Sequence, residues 1–348
     1  MAEVVFYRKY RPASFAEVRG QEHITRVLES AIAGGQPAHA YLFYGSRGTG
    51  KTSVARILAR GLKVSENDLY EIDGASNRGI DEVRALREAV RTLPFDSAYK
   101  MYVIDEAHML TKDAFNALLK TLEEPPSHVI FVLATTELHK IPETVLSRCQ
   151  SFSFRKPSEQ ILKETILDIA KVEKAHISLD AASLIAFLGE GSFRDAEGIL
   201  EQVLTLSGKK KVERADVEDI TGAPKNELVK DVIGAFLDGE KEKGITAIHK
   251  AVRQNNDMKI FTRLIMKYIR YGMLLSFAPN ISAEIKKELS NEEFAYVETL
   301  AKHKNAVALP NILKTLLEAY ERIMYAHVEE LPLELALVKI IGQDSDTK

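Results

Sequence analysis

Over the first 155 residues, short runs of apolar residues alternate with segments whose apolar positions recur at helical spacing. That alternation predicts strands joined by crossover helices, and so a parallel α/β sheet. The predicted strands are Ala40–Tyr44, Leu69–Asp73, Lys100–Asp105, Val129–Ala134 and Ser151–Phe154. The third and fourth are apolar at nearly every position, which predicts strands covered on both faces. From Lys156-Pro157-Ser158 onward the periodicity is helical only, and Gly222-Ala223-Pro224 interrupts it. The division expected is 1–155 for the α/β part, 156–222 for a small helical part and 223–345 for an all-α part. The last of these shows no constellation of catalytic residue types.

Composition narrows the setting. With 45% hydrophobic and 28% charged residues, the chain has a globular balance and is not disordered throughout. The single cysteine excludes a disulfide framework and any four-thiolate zinc site within one chain. No apolar run has the length of a membrane span, and the first residues lack a signal-peptide core, so a cytoplasmic protein without membrane contact is expected. A net charge of −3 gives no global sign of nucleic-acid binding, so local charge has to carry any such reading.

The densest chemistry lies between the first strand and the helix after it. Gly45-Ser46-Arg47-Gly48-Thr49-Gly50-Lys51-Thr52 is a complete GxxxxGK[ST] sequence, preceded by an apolar run and followed by Ser53 and an apolar-periodic helix. Glycines let successive backbone N–H groups converge on phosphate oxygens, and the helix N-terminus adds positive potential. Lys51 would reach the β- and γ-phosphates, and the Thr52 hydroxyl would bind Mg²⁺. The third strand ends in Asp105-Glu106, at the strand end where open α/β sheets bind nucleotides. Asp105 would help to hold Mg²⁺, and Glu106 would polarise an attacking water. Adjacent carboxylates after a strand mean little alone; after an intact phosphate loop they point to hydrolysis of ATP or GTP.

The segments FYRKYRPASFAEVRGQEHI, HAYLFYGSRGTGKTSVARILAR, EIDGASNRGIDEVR, VIDEAHMLTKDAFNALLKTLEEPP, ATTELHKIPETVLSRCQ and GSFRDA follow one another over residues 5–200. In that order they resemble the AAA+ ATPases, and more narrowly the bacterial sliding-clamp loaders of the DNA polymerase III gamma/tau family. The resemblance implies a P-loop AAA+ core with a parallel sheet, a small helical lid and an all-α collar. It implies ATP as the nucleotide, with Tyr7, Arg11, Pro12 and Val18 in the segment that wraps the base. Arg148, in Ser147-Arg148-Cys149, matches an arginine aimed at a neighbouring subunit's nucleotide, and a guanidinium suits charge developing on phosphate oxygens. Thr136 matches the first sensor, and Arg194 the sensor that reads the γ-phosphate of its own subunit. The function implied is that of an ATP-hydrolysing motor subunit that loads the clamp onto primed DNA during replication, with no polymerase site of its own. The partners implied are delta-like and delta-prime-like subunits, further copies of the chain, the sliding clamp and primed DNA held without sequence preference.

The chain departs from the family pattern between Arg60 and Asp68, where a four-cysteine zinc module is usual and no cysteine occurs. No zinc is therefore expected, nor are the tau-type extensions that bind further replication proteins. The lone Cys149 reads as a small buried residue, and His108 as a packing or signalling residue without ligand spacing. Residues 1–60 carry nine Lys/Arg against four Asp/Glu, a local excess partly absorbed by a triphosphate. Arg78, Arg84, Lys112 and Lys140 are the candidates for contact with DNA phosphates. Two other readings compete: a hexameric AAA+ DNA remodeller or helicase, and a non-hydrolysing clamp-loader scaffold. The complete set of Lys51, Thr52, Asp105 and Glu106 argues against the scaffold.

Overall fold

The computed structural model describes residues 5–76, 86, 88–208 and 211–343. The chain forms two compact units: Met1–Leu162 with Gly189–Gly198, and Lys163–Leu188 with Ile199–Lys348. The boundaries expected at 155 and 222 follow element type, whereas compactness groups residues 189–198 with the α/β part.

In the first unit, β1 (Ala40–Tyr44), β2 (Leu69–Asp73), β3 (Lys100–Asp105), β4 (Val129–Thr135) and β5 (Gln150–Ser153) form one sheet in the order β2-β3-β4-β1-β5. Every pairing is parallel, with Tyr41 opposite Val132 and Ile104 opposite Leu133. The strand ends differ from expectation by one residue. Thr135 continues β4, and β5 is shifted to Gln150–Ser153, although the Phe154 N–H still donates to the Tyr44 carbonyl at 2.7 Å.

Helices α1 (Phe6–Lys9), α2 (Glu22–Ala33), α3 (Lys51–Gly61), α4 (Lys112–Glu123) and α5 (Glu143–Leu146) accompany this sheet. The two-residue alternation of strand side chains sorts the core into two layers. On one face Leu42, Tyr102, Ile104, Phe131 and Leu133 pack with Phe115, Leu118 and Leu122 of α4. On the other Tyr41, Phe43, Met101, Val103 and Val132 pack with Ile24 and Leu28 of α2 and Val54 and Leu58 of α3. Each fully buried side chain of this size contributes about 1.5–3 kcal/mol. The two layers fix α3 and the carboxyl ends of β1, β3 and β4 on one rigid body.

Asp68 ties down the approach to β2. Its carboxylate accepts the N–H groups of Phe95, Asp96 and Ser97 at 2.6–2.9 Å and the Ser65 hydroxyl at 3.1 Å. Burial pushes its pKa up, but those donors outweigh burial and hold it at about 2.

The second unit is almost entirely helical among the described residues. Helix α6 (Glu159–Val172) begins in the first unit and runs into the second; α7 (Leu179–Leu188) follows. Helix α8 (Phe193–Ser207) likewise begins with the residues of the first unit, and α9 (Arg214–Thr221) completes the lid region. The expectation of helices alone between 156 and 222 is corrected by β6 (His176–Ile177) and β7 (Lys211–Val212), a two-residue parallel pair. Such a pair is too short to show alternation in a sequence, yet Val212 is fully buried and Ser178 extends the pairing by donating to the Val212 carbonyl.

Beyond Gly222 lie α10 (Asn226–Asp238), α11 (Lys241–Arg253), α12 (Met258–Phe277), α13 (Ser282–Glu288), α14 (Asn291–Ala301), α15 (Leu309–Ile323) and α16 (Leu331–Gln343). The 20-residue α12 buries residues on most of its circumference, including Phe261, Leu264, Ile265, Tyr268 and Ile269. Glu293, at the third position of α14, is only 4% exposed. It accepts the Tyr268 hydroxyl at 3.1 Å and lies 3.6 Å from Arg214 and 3.9 Å from Lys267. Burial pushes its pKa up, and the charges of Lys267 and Arg214, with the Ser290 N–H and the Tyr268 hydroxyl, bring it below the ordinary value. No helix among the described residues is long and apolar enough to cross a membrane.

Candidate nucleotide site

The phosphate loop leaves β1 at Gly45 and enters α3 at Lys51, so the helix N-terminus and the loop N–H groups share one concavity. Gly48 has φ +71°, and a Cβ there would collide with the Ser192 hydroxyl. The Phe193 N–H also donates to the Gly48 carbonyl at 3.0 Å. The segment around the expected second sensor is therefore bound directly to the loop. Thr49 braces the turn by donating to the Ser46 carbonyl at 2.9 Å, while Arg47 is exposed and Ser53 half-buried on the first turn of α3.

Lys51 is 6% exposed, and its ammonium donates to the Gly45 and Ser46 carbonyls at 2.8 and 2.9 Å. Burial lowers its pKa, while Glu106 and Asp105 oppose that shift. The Thr52 hydroxyl donates to Asp105 Oδ2 at 2.8 Å. A hydroxyl and a carboxylate side by side at the mouth of a phosphate loop are hard oxygen donors of the kind Mg²⁺ takes, with phosphate and water completing its shell. The donor set fits Mg²⁺-nucleotide. The chain has one cysteine, and no group of three or more potential metal ligands occurs among the described residues.

Glu106 occupies the left-handed region at φ 47°, ψ 44°, a conformation costing on the order of 1–3 kcal/mol for a residue with a Cβ. The turn breaks the direction of β3 and brings the carboxylate to β4. Thr136 donates to Glu106 Oε2 at 3.1 Å, and His108 Nδ1 lies 3.4 Å from the same oxygen. His108 is buried, with Nδ1 3.1 Å from the Thr135 hydroxyl and Nε2 3.3 Å from Glu137. His108, expected to have a packing or signalling role, thus stands between Glu106, Thr135 and Glu137. Its place after the carboxylate pair was a signal that lacked only the geometry.

Arg194 opens α8, with its guanidinium carbon 4.7 Å from the centre of the Tyr7 ring. Two residues expected at the site, Tyr7 and Arg194, are therefore in contact. Arg11 lies within electrostatic range of Arg194, Arg8 and Arg56, and its pKa is lowered, first by burial. Val18 packs against the core beside α2 and α3. Arg11 and Pro12 also border a cavity of about 460 Å³ with Arg8, Ala13, Arg56 and Arg60; no phosphate-loop residue lines it.

One residue missed by sequence reasoning is Glu197, one turn after Arg194. It is 7% exposed with no hydrogen-bond partner among the described residues, and burial raises its pKa to about 8 against the opposing charge of Arg11. A glutamate on an amphipathic helix reads as a solvated position, so nothing in the sequence marked it.

Arg148 takes its contacts elsewhere: Glu123 Oε1 at 2.6 Å, the Thr144 carbonyl at 2.7 Å and the Ser147 hydroxyl at 3.1 Å. Cys149 is half-buried rather than buried, with its thiol pushed up to about 12 by desolvation. Of the DNA candidates, Arg78 and Arg84 lie outside the described residues. Lys112 is exposed, and Lys140 is paired with Glu137 at 2.8 Å.

Comparisons with known proteins place these features in a lineage. The family model of the DNA polymerase III delta subunit matches residues 63–158, and that of DNA polymerase III subunits gamma and tau, domain III, matches residues 212–347. DNA polymerase III subunit tau of Bacillus subtilis is 36% identical over 98% of this chain and 63% of its own length. The tau subunit of Escherichia coli is 32% identical over 98% of this chain and 56% of its own length. The chain thus spans somewhat under two thirds of the curated relatives it matches most fully. Among solved structures, the Thermotoga maritima RuvB Holliday junction branch migration motor superposes with TM-score 0.53 at 23% identity, over 66% of this chain and 79% of that one. This likeness shows the fold, a parallel sheet with helices, and nothing about activity. Relatives aligned across nearly the whole chain, together with the match over its helical C-terminal part, show that this chain is similar to the DNA polymerase III gamma and tau subunits.

Proposed function

We propose that this chain is an ATP-hydrolysing motor subunit of a bacterial sliding-clamp loader. It would act with delta-like and delta-prime-like subunits and further copies of itself to place a clamp on primed DNA. The observation that carries this reading is the convergence of Lys51, the Thr52–Asp105 pair and the Thr136–Glu106 pair at the carboxyl ends of neighbouring parallel strands. A scaffold without hydrolysis has no use for all of them. The three-part organisation at 155 and 222, into ATPase core, lid and collar, belongs to the same proposal.

The geometry supports the roles at the phosphates, and the resemblance supports those at the base and the sensors. The loop N–H groups and Lys51 bind the triphosphate, and Lys51 exchanges its two carbonyl acceptors for phosphate oxygens. Thr52 and Asp105 hold Mg²⁺, which when bound neutralises charge on the phosphoryl oxygens. Glu106 polarises the attacking water through the carboxylate oxygen that Thr136 leaves open, while Thr136 fixes the orientation of the carboxylate. Tyr7, Arg11, Pro12 and Val18 surround the base, and Arg194 reads the γ-phosphate from the start of α8.

Arg148 has Glu123, Thr144 and Ser147 as its partners and none of the site's residues, which supports action on a neighbouring subunit's nucleotide. An arginine supplied in this way can contribute roughly 10³–10⁵ in rate, and it makes hydrolysis depend on assembly.

The test is ATP turnover by the reconstituted complex with and without clamp and primed DNA. Stimulation by both is expected, and it should be lost in Arg148→Ala with ATP binding retained. If neither ligand stimulates turnover, the loader reading fails; if Arg148→Ala abolishes binding, its trans role fails.

A further inference from the structure

We propose that Glu123 is a positioning residue for Arg148, presenting its guanidinium to the neighbouring subunit's nucleotide. This rests on the trans role proposed above and adds a residue to which no function has been assigned.

Three acceptors converge on one guanidinium. Nη1 donates to both the Thr144 carbonyl and the Ser147 hydroxyl, at 2.7 and 3.1 Å. Nη2 donates to Glu123 Oε1 at 2.6 Å. Nε donates to none of the described residues, and it shares with Nη2 the edge of the guanidinium plane that can meet phosphate oxygens. Arg148 can therefore keep all three bonds and still present its Nε–H.

Thr144 and Ser147 are close neighbours of Arg148 in sequence and move with it. Glu123 is different: it ends α4, whose Ala114, Phe115, Leu118 and Leu122 are buried in the core of the first unit. It is the only one of the three acceptors that refers the guanidinium to a rigid element distant in sequence. Glu123 is 48% exposed and Arg148 33%, and a pair this open contributes little to stability. Its contribution is the fixed direction of a long side chain that would otherwise sample many rotamers.

The experiment uses the reconstituted complex with clamp and primed DNA and compares Glu123→Ala, Arg148→Ala and the double variant. Glu123→Ala is expected to lower stimulated kcat by roughly ten- to a hundredfold with KM for ATP unchanged, the cost of a misplaced catalytic contact. In the Arg148→Ala background, Glu123→Ala should cause no further loss, because its effect passes through that guanidinium. If Arg148→Ala abolishes stimulation while Glu123→Ala leaves it intact, the positioning role is overturned and the trans role stands. If the two losses multiply in the double variant, Glu123 acts through the fold and the proposal is equally overturned. If Arg148→Ala itself leaves stimulation intact, the trans reading fails and this proposal fails with it.

Discussion

Glu197→Gln should make the protein less sensitive to alkali. Glu197 is almost fully buried with no hydrogen-bond partner among the described residues, and burial raises its pKa from the ordinary 4.5 to about 8. A folded pKa above the unfolded one means that folding favours the protonated form. The stabilisation linked to that proton is complete below about pH 4.5, declines as the unfolded chain releases it, and is gone once pH passes 8. Each pH unit in that window is worth about 1.36 kcal/mol, so at pH 7 the loss is on the order of 3 kcal/mol. Glutamine has the same shape and no proton to lose. Its buried amide has a fixed desolvation cost of about 1–3 kcal/mol, which offsets the comparison without changing its slope. The assay is urea unfolding of both proteins from pH 5 to 9, following the transition of the first unit. The stability difference should move in favour of Glu197→Gln by roughly 1 kcal/mol per pH unit between 5 and 8, then level off. Parallel pH profiles would show that Glu197 titrates as an ordinary surface carboxyl and that its burial has been misjudged.

Asp68 should show the opposite dependence. Its folded pKa of about 2 lies below the ordinary 3.8, so its contribution is complete above about pH 4 and is lost as pH falls through 2. The stability advantage of the wild type over Asp68→Asn should be constant at neutral pH and shrink between pH 4 and 2 in acid titrations of unfolding; a difference independent of pH in that range would contradict it. Glu293→Ala removes the buried carboxylate that faces Arg214, Lys267 and the Tyr268 hydroxyl, and should destabilise the second unit by about 3–5 kcal/mol in chemical denaturation. A loss below about 1 kcal/mol would show that Glu218 and solvent replace it.

Features that follow local rules were legible in the sequence. The inner strands β1, β3 and β4 showed as apolar runs because a parallel sheet buries both their faces, and the phosphate loop showed because its glycines and lysine serve a local geometry. The base-wrapping and sensor roles came from resemblance; the Arg194–Tyr7 contact then joined residues nearly 190 positions apart. Illegible features arise where distant segments meet. The pair of β6 with β7 is too short for periodicity, and Glu123 has the character of any surface glutamate until α4 and the turn after α5 bring it to Arg148. Glu197 carries the opposite lesson: its pattern said solvent, and its burial in the fold said otherwise. Glu106 looked like half of a carboxylate pair, but its left-handed backbone, which separates it from Asp105, needed coordinates.

The order of strands also governs how the chain can fold while it is being made. β1 occupies an interior place in the sheet, yet both strands that flank it, β4 and β5, come later in the sequence. About 85 residues separate its end from its first partner, and at about 5–20 residues per second a ribosome needs roughly 4–17 s to supply them. Throughout that interval Ala40–Tyr44, an almost wholly apolar strand, has two unpaired edges, and the face that Leu42 turns to α4 is uncovered. The nascent chain thus keeps an apolar strand unpaired, and holdase chaperones should bind it there until Val129–Thr135 has emerged.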